Sequence, residues 1–373
     1  MKIGFVNFTP LVYSIDTPYH EPLGGAESSI CYLAEHLAER GHQVTLFGRF
    51  PGIFTSRKVR HEPDRNLKDG SAPALDFLVI QNTAYFGIGL RAVLDQNTKL
   101  IFWAGHAPDQ PTVQDLNDRS FRGVYDAFVM ISRWQLEGYL KTFGIERRKC
   151  FIAGNAISPA FENIFAGRTN PLSLGKVIPP ILAYTSTPFR GLELLIDIFP
   201  KIKRQVPDAT LKVFSGMQLY QVPGGLEQKE YGDLYRLCRE TEGVEYIGSI
   251  PQPKLAEELR AVSVLSYPNT FPETSCIAVM EAMAAGCQII TSNLGALSET
   301  TAGFAKLIPV TSGREQYIND FVQETVTVLE QFRRRDRGLM GSLARQVNFA
   351  NGHYTWGRRA EEWESWLGGL NFS

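Results

Sequence analysis

Short apolar runs alternate with amphipathic segments along most of the chain. The first run is Lys2 to Phe8, and apolar positions then recur at helical spacing from Ala26 to Glu39 before a second run, Gln43 to Phe47. A strand buried on both faces is a continuous apolar run, and a helix that covers it repeats its apolar positions about every 3.6 residues. The opening of the chain therefore predicts a βαβ unit of the Rossmann type.

The alternation continues in two series along the chain. The first series adds strands at Phe77 to Ile80, Leu100 to Trp103, Ala127 to Ile131 and Cys150 to Ile152, with a helix at Ser132 to Thr142. The second series has strands at Ile181 to Tyr184, Leu211 to Phe214, Val244 to Ile247, Val262 to Tyr267 and Gln288 to Thr291, and helices at Leu192 to Arg204, Tyr231 to Glu240 and Gln252 to Ala261. Two such series predict an α/β fold of two Rossmann-like, doubly wound domains facing each other across a cleft.

The pattern also predicts a domain boundary and a docked last helix. Gly, Asn and Pro gather between Ala166 and Pro180, where periodicity is lost, so we assign residues 1–168 to the first domain and 169–353 to the second. Near the end, Trp356, Ala360, Trp363 and either Trp366 or Leu367 share one helix face. This amphipathic helix must pack against a partner surface.

Composition narrows the class of protein. The 373 residues are enough for two domains, and 38 cations against 39 anions leave no field that would attract nucleic acid. The five cysteines are widely spaced without a C-x-x-C pair, which predicts reduced thiols, and neither a signal peptide nor a membrane span is visible. We expect a cytoplasmic protein. Short basic clusters such as Arg147 to Lys149 are most often solvated helix faces, and the lesser alternative is a peripheral contact with the inner membrane surface.

The segment from Phe271 to Gly286 carries the strongest chemical signal. Thr274 or Ser275 would cap an apolar helix that begins directly after them, with Glu273 in front of the helix and Glu281 inside it. A helix N-terminus attracts phosphate, and the two carboxylates could accept hydrogen bonds from sugar hydroxyls. Two glutamates alone are more often a dipole-favouring residue and a solvated face residue. The apolar helix favours function, because it places Glu281 among buried neighbours.

Other candidates follow predicted strands. Gly24 and Gly25 form a turn that is neither a dinucleotide fingerprint nor a Walker loop; it is either a plain tight turn or a close approach to a bulky anion. His106 is either structural or a ligand contact at the carboxyl edge of the sheet. Asn155 could simply cap a turn. Arg190, at the start of a helix, is either a diphosphate clamp or a surface cation.

Some classes of catalytic site lack support in the sequence. There is no D-x-D motif, no His/Cys/Asp cluster with metal-ligand spacing and no G-x-S-x-G elbow. The sequence therefore does not support metal catalysis or a Ser-His-Asp triad.

Taken in order, these residues resemble the retaining family-four glycosyltransferases, which are Leloir enzymes with the GT-B fold. The resemblance covers nearly the whole chain and rests on Gly24-Gly25-Ala26-Glu27, His106, Gly154-Asn155, Arg190-Gly191-Leu192, Pro207 to Gly216, and Phe271-Pro-Glu to Gly286. It implies a nucleotide-sugar donor held mainly by the second domain and an acceptor held mainly by the first. It also implies that the last helix, residues 354–373, returns to the first domain.

The resemblance also implies roles for individual residues. Glu281 would hold the ribose hydroxyls, Glu273 would contact the transferred sugar, and His106 would lie near the anomeric centre. The diphosphate or sugar would contact the amides of Thr274, Ser275, Cys276 and Ile277, with Gly24, Gly25 and Asn155 from the first domain. The nucleobase would lie against the segments after Gly216 and Gly248, at Met217 and Ile250. The predicted catalytic residues are His106, Glu273 and Arg190.

One feature departs from the family. Most members, as the family pattern has it, carry an arginine and then a lysine around the first turn of the second domain. In this chain Ser186 and Thr187 fall near the place of the first cation, and Arg190 takes the place of the second. Neutralisation of the diphosphate would then depend on Arg190, Gly25 and helix N-termini.

The implied activity is transfer of a hexose with retention of configuration, by a front-face reaction without metal or other cofactor. A UDP-sugar is the favoured donor and GDP-mannose the second, and the acceptor would be a hydroxyl of a glycan or lipid-linked glycan. Two alternatives stay open: a nucleotide-sugar epimerase, and a catalytically silent nucleotide-sugar-binding protein.

Overall fold

The computed structural model describes residues 1–166 and 176–370. Its strands are β1 Lys2–Val6, β2 Gln43–Gly48, β3 Phe54–Ser56, β4 Val59–Pro63, β5 Phe77–Gln81, β6 Lys99–Ala104, β7 Ala127–Met130, β8 Cys150–Ile152, β9 Ile181–Tyr184, β10 Thr210–Val213, β11 Val244–Tyr246, β12 Val264–Tyr267, β13 Gln288–Ser292 and β14 Lys306–Ile308. Its α-helices are α1 Thr17–His20, α2 Gly25–Glu39, α3 Arg65–Lys68, α4 Gly87–Val93, α5 Arg119–Arg122, α6 Arg133–Phe143, α7 Leu192–Gln205, α8 Gly224–Glu240, α9 Gln252–Ala261, α10 Ile277–Ala284, α11 Leu297–Thr300, α12 Arg314–Arg333, α13 Arg337–His353 and α14 Trp356–Leu370.

The chain divides into two compact units. Of the described residues, the first unit contains 1–18, 24–155 and 356–370, and the second contains 19–23, 156–166 and 176–355. The predicted boundary between residues 168 and 169 lies outside the described residues. Contacts assign residues 156–166 to the second unit, whereas the sequence analysis had placed them in the first domain.

The first unit is built on one sheet of eight strands in the order β3-β4-β2-β1-β5-β6-β7-β8. Its pairings are parallel except between β3 and β4. Central strands are apolar throughout: in β6, Leu100 to Ala104 are all buried. Successive strands spread from β1 in one direction and from β5 in the other, so the strand order reverses between these two neighbours.

The second unit is built on a parallel sheet of six strands in the order β11-β10-β9-β12-β13-β14. Helix α7 covers this sheet with a face that includes Leu195, Ile198 and Ile202, all fully buried. Here the strand order reverses between β9 and β12. Both units are therefore Rossmann-like α/β domains, and the predicted fold class is confirmed.

The last helix belongs to the first unit, as the resemblance implied. Trp356, Ala360, Trp363 and Leu367 are buried along one face of α14. The ring of Trp363 lies 5.3 Å from that of Trp103, measured between centroids. The tryptophan face thus completes the core beside the central strand β6. Within the described residues, no helix combines the length and the apolar character needed to cross a membrane.

Candidate functional site

The second sheet has a topological switch point between β9 and β12. Chain connections leave these neighbouring strands in opposite directions, and ligands of doubly wound folds bind at the carboxyl ends of such strands. The loop after β9 carries Ser186, Thr187 and Arg190, and the loop after β12 carries Glu273. The strand order therefore brings these separately predicted residues to one edge of the sheet.

Glu273 and Arg190 form an ion pair at this edge. Arg190 Nη1 lies 2.7 Å from Glu273 Oε1, and the hydroxyl of Tyr267 donates to the same oxygen at 2.6 Å. The Arg190 guanidinium also lies over the ring of Phe271, 4.7 Å from its centroid. Both donors hold Oε1, and no described residue donates to Glu273 Oε2. The pair thus fixes the carboxylate while one oxygen stays available to a ligand.

Burial shapes the electrostatics of this pair. Burial opposes the charged form of Arg190, but the Glu273 carboxylate, together with smaller contributions from Tyr267 and other neighbours, outweighs it, so the pKa of Arg190 is raised. Burial, reinforced by Glu273, also raises the pKa of Tyr267 well above its ordinary value. Arg190 Nε is buried and has no hydrogen-bond partner among the described residues. Such a buried donor is costly when it is unpaired.

Two positions beside the ion pair require glycine. Gly191 has a φ of 112°, and a Cβ added there would lie 2.2 Å from the carbonyl oxygen of Pro268. Gly295 has a φ of 62°, and its added Cβ would lie 2.4 Å from the carbonyl oxygen of Glu273. Any side chain at either position would displace the backbone that carries Arg190 or Glu273. Sequence reasoning gave neither glycine a role.

The helix after this loop begins one residue later than predicted. Its first residue is Ile277 and its N-cap is Cys276, whose side chain makes no capping hydrogen bond. The expectation that Thr274 or Ser275 would be the N-cap is therefore wrong, because the backbone of Cys276 is itself still extended and the helix begins only after it. All three residues are buried, and the helix ends before Gly286 as predicted.

Glu281 lies inside this helix and is 3% exposed, which agrees with the expectation of buried neighbours. The backbone N–H of Ser158 donates to its Oε1 at 3.2 Å, and the side chain of Gln252 also hydrogen-bonds to it. Burial outweighs these two donors and raises the pKa of Glu281 to about 8. The group is therefore poised to titrate near neutral pH.

Ser186 and Thr187, which fall near the place of the family's first cation, follow the same strand as Arg190. The Ser186 hydroxyl lies 3.4 Å from that of Tyr267, which itself contacts Glu273. Thr187 is 4% exposed, and its Oγ1 has no hydrogen-bond partner among the described residues. Donation to diphosphate by either hydroxyl stays a prediction.

The predicted nucleobase segments follow two further strands of the same sheet. Met217 lies beyond β10, and its backbone N–H donates to Glu227 Oε1 at 2.8 Å. Ile250 lies beyond the neighbouring strand β11 and is half-buried. Glu227 was not singled out from the sequence, because the helix that carries it was predicted to begin only at Tyr231.

The predicted residues of the first unit lie near the carboxyl end of β1 and at the end of β8. Gly24 is the N-cap of α2 and Gly25 its first residue, and the Ser29 hydroxyl donates to the carbonyl of Gly25 at 2.6 Å. Asn155 is buried, and its carbonyl accepts a hydrogen bond from Arg359 Nε at 3.2 Å. The last helix therefore holds the Asn155 turn.

His106 follows β6, at the carboxyl edge of the first sheet. Its carbonyl accepts hydrogen bonds from Gln135 Nε2 at 2.8 Å and from the Tyr139 hydroxyl at 2.9 Å. The preceding Gly105 donates its N–H to Asn82 Oδ1 at 2.6 Å, and Asn82 adopts a positive φ of 66°. Asn82 thus helps to position the His106 turn. The only sequence signal for it was an asparagine directly after a strand.

Two further observations concern metal and thiol chemistry. Across residues 1–166 and 176–370, no three His, Cys, Asp or Glu side chains gather as a metal-binding group. The five cysteines are unpaired, and all but the half-buried Cys150 are buried. Metal independence of the reaction stays a prediction.

Comparisons with known proteins match both the second unit and the whole fold. The family described as Glycosyl transferases group 1 matches residues 179–330. A phosphatidyl-myo-inositol mannosyltransferase of Mycobacterium tuberculosis is 30% identical over 109 residues, which cover 29% of this chain and only 26% of that relative. The Mycolicibacterium smegmatis protein of the same name is 24% identical over 351 residues, covering 83% of this chain and 81% of the relative.

A solved structure aligns along the full length. The Anabaena protein HepE, in complex with UDP-glucose, superimposes with a TM-score of 0.69 at 13% identity, covering 99% of this chain and 100% of HepE. The family match contains Arg190, Met217, Ile250, Glu273 and Glu281. Residues 179–330 are therefore similar to the Glycosyl transferases group 1 family, and the chain as a whole has the two-domain GT-B fold.

Proposed function

We propose that the chain is a retaining hexosyltransferase that uses a nucleotide-diphosphate sugar and transfers the hexose to a hydroxyl of a glycan or lipid-linked acceptor. The main support for this proposal is the group of side chains at the edge of the second sheet. There the Glu273–Arg190 pair and the buried Glu281 lie on loops and a helix within the matched glycosyl transferase domain.

The described contacts suit the parts of such a donor. Glu273 Oε2 can accept a hydrogen bond from a hydroxyl of the transferred sugar while Arg190 and Tyr267 hold Oε1. Glu281 would accept hydrogen bonds from the ribose hydroxyls. Arg190 would keep Nη1 on Glu273 and offer its remaining N–H donors to diphosphate, since a guanidinium has five donors.

The ion pair also bears on the reaction. A carboxylate bound by Arg190 and Tyr267 is a weak nucleophile, which favours a front-face reaction over a covalent intermediate on Glu273. The bond between the anomeric carbon and the leaving phosphate oxygen would break as the acceptor oxygen bonds to the same face. The acceptor proton would pass to the leaving phosphate. The protein would lower the barrier by stabilising charge that grows on the phosphate.

The acceptor is assigned only by class. The relatives named above are mannosyltransferases of a phosphatidylinositol lipid, and HepE was solved with UDP-glucose. These names support a sugar nucleotide as donor and are compatible with a lipid-linked acceptor. Peripheral membrane contact and the roles of Gly25, Asn155 and His106 remain part of the proposal.

Donor hydrolysis tests the proposal without knowledge of the acceptor. The full chain is incubated with UDP-, GDP- and ADP-hexoses, and release of nucleoside diphosphate and free sugar is followed by chromatography and NMR. We expect slow release in which the first sugar anomer formed keeps the donor configuration. Glu273→Gln should reduce release by about 10²-fold or more, because it loses a contact that strengthens in the transition state. Glu257→Gln, at an exposed position on α9, is the matched control.

The alternatives give different products. A nucleotide sugar altered at another carbon would indicate an epimerase, and donor binding without any release, with every acceptor class supplied, would indicate a silent binding protein. Absence of any thermal stabilisation by sugar nucleotides would contradict the proposed function altogether.

A further inference from the structure

Glu227 lies at the predicted base end of the donor site and has no part in the proposed chemistry. It is in the first turns of α8, and its Oε1 accepts hydrogen bonds from the Met217 N–H and the Tyr235 hydroxyl, both at 2.8 Å. A Cβ added to Gly216 would lie 3.3 Å from the same oxygen. The carboxylate therefore closely adjoins the loop after β10, and no described residue donates to its Oε2.

The neighbouring loop after β11 contributes a second polar group. The Ser249 hydroxyl would lie 2.7 Å from a Cβ on Gly216, so it adjoins the same stretch of backbone as Glu227. Ser249 Oγ is buried without a hydrogen-bond partner among the described residues, as is Oγ of Ser215. Buried hydroxyls are normally satisfied, so these two leave hydrogen-bonding capacity unused beside the loop after β10.

Contacts connect Glu227 and Ser249 with the rest of the proposed donor site. Gln252, three residues beyond Ser249, hydrogen-bonds to Glu281, the proposed ribose contact. Tyr220, on the loop that follows Met217, lies within electrostatic range of Arg190. Glu227 and Ser249 thus adjoin the two loops, with Met217 and Ile250, that the resemblance assigns to the nucleobase, and all of these residues lie within one unit.

A carboxylate beside a hydroxyl matches the hydrogen-bonding groups of some nucleobases better than those of others. Guanine presents two adjacent donors, N1–H and the N2 amino group, which suit a carboxylate, and its O6 can accept from a hydroxyl. Uracil presents one N–H flanked by two carbonyl oxygens, which a carboxylate would repel. Adenine sets its amino group beside a ring nitrogen that is an acceptor. The Met217 N–H, which could have served a carbonyl of uracil, is already bound to Glu227.

We infer that Glu227, together with Ser249, makes the donor site selective for guanine, so that the sugar donor is a guanosine diphosphate sugar. This inference rests on the proposed function and names its substrate class. It reverses the order of donors favoured from sequence, where a UDP-sugar came first. Glu227 is a specificity-determining residue under this assignment, with no role at the reacting atoms.

Glu227→Gln separates selectivity from support of the loop. Glutamine keeps one oxygen for the Met217 N–H and the Tyr235 hydroxyl, but it replaces the free Oε2 by a donor. A purely structural role would therefore leave the choice of base unchanged. Glu240→Gln, an exposed change at the end of the same helix, is the matched control.

The experiment measures binding of GDP, IDP, UDP and ADP to the full chain by calorimetry. The wild-type protein should bind GDP about 10- to 100-fold more tightly than UDP or ADP, the range expected for hydrogen bonds to a charged group. IDP, which lacks the N2 amino group, should bind more weakly than GDP. In Glu227→Gln the GDP and IDP affinities should converge while UDP affinity stays within a few-fold, which also reports that the variant is folded. Ser249→Ala should weaken GDP and IDP equally.

Two results would overturn the inference alone: wild-type protein that binds UDP or ADP as tightly as GDP, or a GDP preference that survives Glu227→Gln. If none of the four nucleotides binds, the proposed function fails and the inference fails with it. The two failures are thus distinguishable.

Discussion

Replacing Glu281 with glutamine should remove a specific pH dependence from the stability of the second unit. The pKa of this carboxyl is raised from an ordinary value of 4.5 to about 8 by burial, against the opposing effect of the Ser158 amide and Gln252. Between these two values the folded protein binds a proton that the unfolded chain has released. The free energy of unfolding therefore falls as pH rises through this window.

The size of the effect follows from the same two values. A tenfold change in proton affinity is worth about 1.4 kcal/mol, so the full effect is about 5 kcal/mol, of which about 3 kcal/mol develops between pH 5 and pH 8. For a unit of about 200 residues, each kcal/mol shifts Tm by roughly 2 to 4 °C. The wild-type transition should thus lose about 6 to 12 °C relative to Glu281→Gln over this range.

Differential scanning calorimetry of both proteins from pH 5 to pH 8 provides the measurement. The two units can unfold separately, so the transition of the second unit is identified by its shift with added nucleotide. Taking the difference between variant and wild type cancels titration of the other groups. Parallel Tm profiles, or a variant that is less stable than wild type at pH 8, would refute the reasoning. The same variant should bind nucleotide more weakly although it is more stable, because glutamine is a poorer acceptor for ribose hydroxyls.

Three further changes test how the site and the first core are supported. Arg190→Ala should cost about 3 to 5 kcal/mol of unfolding free energy by leaving the Glu273 carboxylate buried and unpaired, and a double-mutant cycle with Glu273→Gln in urea should recover much of it. Gly295→Ala should destabilise by more than about 1 kcal/mol and abolish donor hydrolysis, because the positive φ and the contact with Glu273 displace the loop; normal activity would contradict this. Trp363→Ala should cost about 3 to 5 kcal/mol in chemical denaturation by opening a cavity in the first unit, while isothermal nucleotide affinity should stay unchanged.

The alternating sheet-and-helix pattern was predictable because parallel strands are buried on both faces. Strand β6 and helix α7 appear within one residue of their expected ends. The hairpin of β3 and β4 was missed because its sequence is largely polar and it lies at the sheet edge. Helix α8 begins seven residues before the predicted start at Tyr231, because its opening Gly-Gly pair reads as a loop.

The charged residues of the candidate site were predictable from their positions in the sequence pattern. Glu273, Glu281 and Arg190 stood out because each carries charge beside a helix start or within an apolar segment. Tyr267 did not, because a tyrosine in an apolar strand normally indicates core, and only the folding of the loop after β12 brings Glu273 back to its hydroxyl. Gly191 and Gly295 required tertiary contacts with other loops. Sequence thus identified the charges, and the fold identified what orients them.

Within the described residues, two carboxylates of the second unit are each held by the protein through only one oxygen. Glu273 is fixed by Arg190 and Tyr267, and Glu227 by Met217 and Tyr235, each through Oε1. A carboxylate that is already oriented loses little side-chain entropy when its second oxygen accepts a ligand donor. Because Arg190 is neutralised by Glu273, it adds little net positive charge for a diphosphate. Recognition of the donor in this unit must then depend more on directed hydrogen bonds than on charge, so nucleotide affinity should fall only weakly with rising salt.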